Sequence, residues 1–113
     1  MTLYGIPNCD TTNKAMLWLK LKKIDFKFHN YKEAGISTKK LKEWCDKAGW
    51  EKVLNKRSTS WRELSPAQQA SVINQENAIA IMKENNSIIK RPVIEYNGHL
   101  LIGFDEKRYA AVF

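Results

Sequence analysis

Two cysteines and a small set of cations are the side chains here with distinctive chemistry. Cys9 stands in Pro7-Asn8-Cys9-Asp10-Thr11-Thr12, directly after a strand-like stretch and directly before a helical one. A sulfur at that junction faces the unpaired N–H groups and partial positive charge of a helix start, and both favour thiolate over thiol. The thiolate is the nucleophile, so the setting suits reactive sulfur. A lone cysteine is otherwise most often a small buried apolar residue; the strand-turn-helix context tips the balance. Asp10 raises the pKa of a neighbouring thiol, yet it also suits a helix cap.

Thr12 occupies the position where a dithiol pair would carry its second cysteine. An oxidised Cys9 must therefore be resolved by another thiol. Cys45 is the internal candidate, but it sits on an apolar helical stripe and reads as an inert core residue. An external thiol such as glutathione is the better expectation. His29 and His99 lie far apart, and no ligand spacing for zinc is present, so neither a metal nor a bound cofactor is expected.

Two further segments carry cations. In Lys90-Arg91-Pro92, Arg91 precedes a proline that opens a strand, where the X-Pro bond is either cis or an ordinary trans bond. In Asn55 to Arg62, Lys56, Arg57 and Arg62 mix with hydroxyls and Trp61. That loop either folds over the cysteine and offers guanidinium donors to an anion or is a solvated basic loop.

The elements that must position these groups follow from periodicity. A strand is expected over Thr2 to Ile6, a helix from about Asp10 to Lys23 and a strand over Phe26 to Tyr31. This βαβ unit implies two parallel strands. Ser37 caps a helix whose Leu41, Trp44, Cys45 and Ala48 form one stripe. Ser65-Pro66-Ala67-Gln68 has the pattern of a capping box, and a helix is expected over Glu76 to Glu84, with Ala78, Ile79 and Met82 inward. Pro92 to Tyr96 and His99 to Ile102 flank Asn97-Gly98, a hairpin signal, and Asp105 caps a last helix through Tyr109. The order βαβ, helices, ββα predicts an α/β chain: one thioredoxin-like domain over residues 1–113, with a four-stranded mixed sheet and a helical insert at about 36–86.

Composition sets the outer limits. Of 113 residues, 43% are hydrophobic and 27% charged, which suits one globular domain. No run approaches a membrane span and no signal-peptide layout opens the chain, so a cytoplasmic protein is expected. The net charge of +7 suits an anionic partner, although lysines spread along the chain serve solubility equally well. With no recognition helix or localised basic arm, direct nucleic-acid binding is not expected.

Taken together, the motifs resemble the arsenate reductase/Spx family, nearest its YffB-like branch. The resemblance rests on Asn8-Cys9-Asp10-Thr11, Leu54-Asn55-Lys56-Arg57 with Thr59-Ser60-Trp61-Arg62, Ile89-Lys90-Arg91-Pro92 and Gly103-Phe104-Asp105-Glu106, and spans essentially the whole chain. It implies a thioredoxin fold with a helical insert, Cys9 as nucleophile, Arg91 as an anion or glutathione contact and Pro92 as a cis proline. Arg57, Thr11 and Thr12 complete the expected substrate or anion site. Arsenate reductases carry a further arginine after the last strand, where this chain has Gly103-Phe104, and that departure argues against arsenate. Spx-type regulators bind RNA polymerase and often use a C-x-x-C switch, which Thr12 removes. The expected function is a glutathione-dependent thiol oxidoreductase; the alternatives are arsenate reduction proper and a regulator of RNA polymerase.

Overall fold

A computed structural model of the protein describes residues 1–113. The chain divides into two compact units, one formed by Met1–Ala34 with Arg91–Phe113 and the other by Gly35–Lys90.

The first unit carries the sheet. It contains β1 (Thr2–Gly5), α1 (Asp10–Leu21), β2 (Lys27–Asn30) and the single turn α2 (Tyr31–Ala34). The second unit is helical, with α3 (Thr38–Ala48), α4 (Trp50–Val53), α5 (Thr59–Arg62), α6 (Pro66–Ala70), α7 (Gln75–Glu84) and a 3-10 turn at Asn86–Ile88. The chain then returns to the first unit through β3 (Val93–Tyr96), β4 (His99–Ile102) and α8 (Glu106–Val112).

The sheet order is β2-β1-β3-β4, with β1 parallel to β2 and the other two pairings antiparallel. This is the mixed four-stranded α/β architecture expected from the sequence. Three cross-strand partners in register, Leu3, Ile94 and Leu101, point to one face. There they join Ala15 and Leu19 of α1 and Tyr109 of α8 in a buried cluster. Trp18, Tyr109 and Phe113 close its edge, the first two in an edge-to-face contact with centroids 5.6 Å apart. On the opposite face, the Tyr4 ring lies 5.0 Å from that of His29, and its hydroxyl donates to Glu95 Oε1 at 2.6 Å.

Local sequence chemistry explains the boundaries. Asn97 and Gly98 both have positive φ, 46° and 79°, which a two-residue turn of this hand demands. Asp105 caps α8 by accepting from the N–H groups of Lys107 and Arg108. Ser65 and Gln68 form the expected capping box at α6. The expected strand over Phe26 to Tyr31 is shorter than its alternation implies. Tyr31 leaves the ladder to begin α2, and Asn30 Oδ1 accepts from Lys32 N–H at 3.0 Å, turning the chain there.

Within the helical unit, Leu41, Trp44 and Cys45 of α3 are buried, while Ala48 at the end of the same stripe is half-buried. α3 packs on α4 and α7, and Gln75 donates to Asp46 Oδ1 at 2.8 Å. Ala78 and Met82 face inward on α7; Ile79, on the flank of that face, is half-buried. No helix of the protein is long and apolar enough to cross a membrane.

Candidate functional site around Cys9

β1 and β2 run parallel, and β3 runs against both, so the C-terminal ends of β1 and β2 and the N-terminal end of β3 share one edge of the sheet. Chain ends at that edge are where an open α/β sheet presents its ligand groups. Cys9 follows β1, Tyr31 follows β2 and Arg91-Pro92 precedes β3. β4 ends there too, and Gly103 N–H donates to Pro92 C=O at 2.8 Å.

Cys9 is the N-cap of α1, with extended backbone (φ −105°, ψ 120°), and its carbonyl accepts the first helical bond from Asn13 N–H at 2.9 Å. Asn8 before it has φ 60°, a left-handed conformation that asparagine tolerates and that turns the chain from strand to helix. The sulfur is half-buried. Burial pushes its pKa up, but the Thr12 hydroxyl, the Thr12 N–H and the Arg91 guanidinium outweigh that effect and hold it below the ordinary thiol value.

Thr12 is completely buried, and its hydroxyl makes no hydrogen bond of ordinary geometry. It nevertheless faces the Cys9 sulfur closely enough to favour the charged form. A thiol is a weak acceptor, so it leaves a buried hydroxyl poorly satisfied; a thiolate is a strong acceptor and satisfies it. Among the residues expected to touch an anion, Thr12 therefore serves the sulfur. Thr11 is exposed on the first turn of α1.

Arg91 is half-buried and Pro92 buried, and the bond between them is cis. Tyr31, expected at the end of a strand but found at the start of α2, joins this group. It is fully buried, hydrogen-bonds with Arg91 and senses the charge of Cys9. Its position just past a strand adjacent to β1 is the signal that could have marked it.

Arg57 belongs to the helical unit and is exposed. Its segment is braced internally: Asn55 Oδ1 accepts from Arg57 N–H at 3.0 Å, and Ser58 caps α5 by accepting from Trp61 N–H at 3.1 Å. Lys56 Nζ lies 5.6 Å from the centre of the Trp61 ring and 6.0 Å from that of Trp50. Within the same unit, Cys45 is buried, and burial, reinforced by Asp46, pushes its thiol up to about 11. Both cysteines are free. No cluster of three or more His, Cys, Asp or Glu side chains offers a metal site.

A mixed sheet of this order, with a cysteine capping the helix after its first strand, defines a thioredoxin-like protein. The chain belongs to the ArsC family, whose sequence profile matches residues 4–112, and within the arsenate reductase/Spx grouping it is a YffB-like member. A solved YFFB protein superposes with a TM-score of 0.93 at 44% identity, covering 97% of this chain and 96% of that one. An uncharacterized protein of Haemophilus influenzae is 42% identical over 113 residues, covering all of this chain and 98% of its own. The global transcriptional regulator Spx 1 of Lactococcus lactis is 30% identical over 111 residues, covering 96% of this chain and 85% of its own.

Proposed function

We propose that the protein is a glutathione-dependent thiol oxidoreductase that works through Cys9 alone. The observation that carries this reading is the half-buried sulfur at the start of α1, held toward the thiolate by Thr12 and Arg91. The Cys9 thiolate attacks the glutathione sulfur of a mixed disulfide, forming a Cys9–glutathione disulfide and expelling the substrate thiolate, which takes up a proton. A second glutathione thiolate then attacks the glutathione sulfur of that adduct. It leaves as oxidised glutathione and restores the Cys9 thiolate. Thr12 stands where a resolving cysteine would be, so the second thiol comes from solution. Arg91 binds a carboxylate of glutathione by charge-assisted hydrogen bonds.

Incubation with oxidised glutathione followed by intact mass measurement tests this. The wild type and Cys45→Ser gain one glutathione, and Cys9→Ser gains none. An adduct that persists in Cys9→Ser overturns the mechanism.

The 30% identity to Spx 1 supports a second reading, a regulator that binds RNA polymerase. Co-purification with polymerase tests it, and failure to bind the polymerase counts against it. Membership of the ArsC family supports a third, arsenate reduction. Against it stands Phe104, whose ring packs edge-to-face on Tyr109 with centroids 5.0 Å apart in the region where arsenate reductases carry a further arginine. Absence of turnover with arsenate, glutathione and glutaredoxin excludes this third reading.

A further inference from the structure

Arginine has a long side chain with several rotatable bonds, and a half-buried one needs an anchor before it acts on a fixed point. Tyr31 is the anchor the fold supplies. β2, β1 and β3 are consecutive in the sheet, so the residues just past β2, just past β1 and just before β3 are neighbours at one edge. Those positions hold Tyr31, the turn leading to Cys9, and Arg91. Tyr31 has no exposed surface, which fixes its ring. We propose that Tyr31 is a positioning residue of the Cys9 site: its phenol oxygen accepts a hydrogen bond from Arg91 and keeps the guanidinium facing the Cys9 sulfur.

The choice of a phenol has a physical reason. A carboxylate in the same place would orient Arg91 but also neutralise it, competing with the thiolate for its charge. Burial, with the Cys9 charge adding to it and Arg91 opposing, pushes the Tyr31 phenol up to about 12, so it stays neutral wherever the enzyme works. A neutral acceptor fixes the direction of the guanidinium and leaves its full positive charge for the sulfur. The charge that bears on Cys9 is then that of Arg91, and Tyr31 acts through Arg91 without a charge of its own.

The inference rests on Cys9 being the reactive sulfur of the proposed function, but not on glutathione being its partner. The test is the pH dependence of Cys9 alkylation in the full chain, with peptide mass mapping to separate Cys9 from Cys45. Arg91→Ala raises the apparent pKa of Cys9. Tyr31→Phe raises it by less, reducing the alkylation rate at neutral pH roughly threefold, equivalent to about half a pKa unit. The double variant titrates like Arg91→Ala alone, because Tyr31 acts only through Arg91. A Tyr31→Phe protein that titrates like the wild type, or effects that add in the double variant, overturns the inference. The wild type alone supplies a second measurement should a variant fail to fold. The ring-carbon resonance of Tyr31 must move with the Cys9 titration, and a resonance that stays flat across it overturns the inference as well. Wild-type protein that titrates in this way but never forms a glutathione adduct rejects the proposed function and leaves the role of Tyr31 standing.

Discussion

Gly5 and Thr12 meet where β1 hands over to α1. A Cβ on Gly5 would lie 2.9 Å from Thr12 Cγ2 and 3.2 Å from its hydroxyl. The absence of a side chain at the last residue of β1 is what lets the first turn of α1, and the hydroxyl beneath the Cys9 sulfur, approach the sheet so closely. Gly5 has no positive φ, so its role is space.

Gly5→Ala therefore presses on Thr12. We expect a loss of about 1–3 kcal/mol of stability, the usual cost of overpacking, together with a higher Cys9 pKa as the hydroxyl is displaced. Urea unfolding and pH-dependent alkylation measure the two effects. A stable variant with an unchanged Cys9 titration would contradict this account.

Thr12→Val keeps the volume and removes the hydroxyl. The Cys9 pKa is expected to rise, since one of the groups opposing its burial is gone. A rise of one unit would lower the thiolate fraction at neutral pH about tenfold. The alkylation rate at pH 7 reads this directly.

The two cysteines give stability opposite pH dependences in different windows. The folded pKa of Cys9 lies below its ordinary 9.0, so between those values the unfolded chain holds more protons and stability rises with pH. That contribution is lost as pH falls through the folded pKa. Cys45 is raised to about 11, so from 9.0 upward the unfolded chain loses its proton first and stability falls. Denaturant midpoints across pH 6 to 11 should rise and then fall. Cys9→Ser should remove the rising limb, and a rising limb that survives in that variant would refute the assignment.

Cys45 should resist modification in the folded state, being 2% exposed and held as a thiol. Iodoacetamide at pH 8 is expected to label Cys9 within the time that leaves Cys45 intact, and to label both in urea. Peptide mapping distinguishes them. Equal labelling of both in native protein would place Cys45 among the reactive groups.

Much of this protein is local, and local features are legible in a sequence. Periodicity, capping residues and the Asn97-Gly98 turn set the elements and their order, because each depends on neighbours within about a turn of chain. Cys9 was legible for the same reason: its place at a strand-to-helix junction is a fact about adjacent residues. The motif around Arg91 and Pro92 is visible in the sequence, but proline tolerates either isomer, and only the folded chain is seen to hold the cis bond. Tertiary structure decided what faces the sulfur. Tyr31 lies 22 positions from Cys9 by residue number and Arg91 lies 82, and the pairing of β2, β1 and β3 brings both to one edge. Thr12 read as a lost cysteine in the sequence; in the fold, it is a buried hydroxyl whose best acceptor is the thiolate. A pKa depends on burial and on charges a few ångströms away, and those distances exist only once the strands have paired.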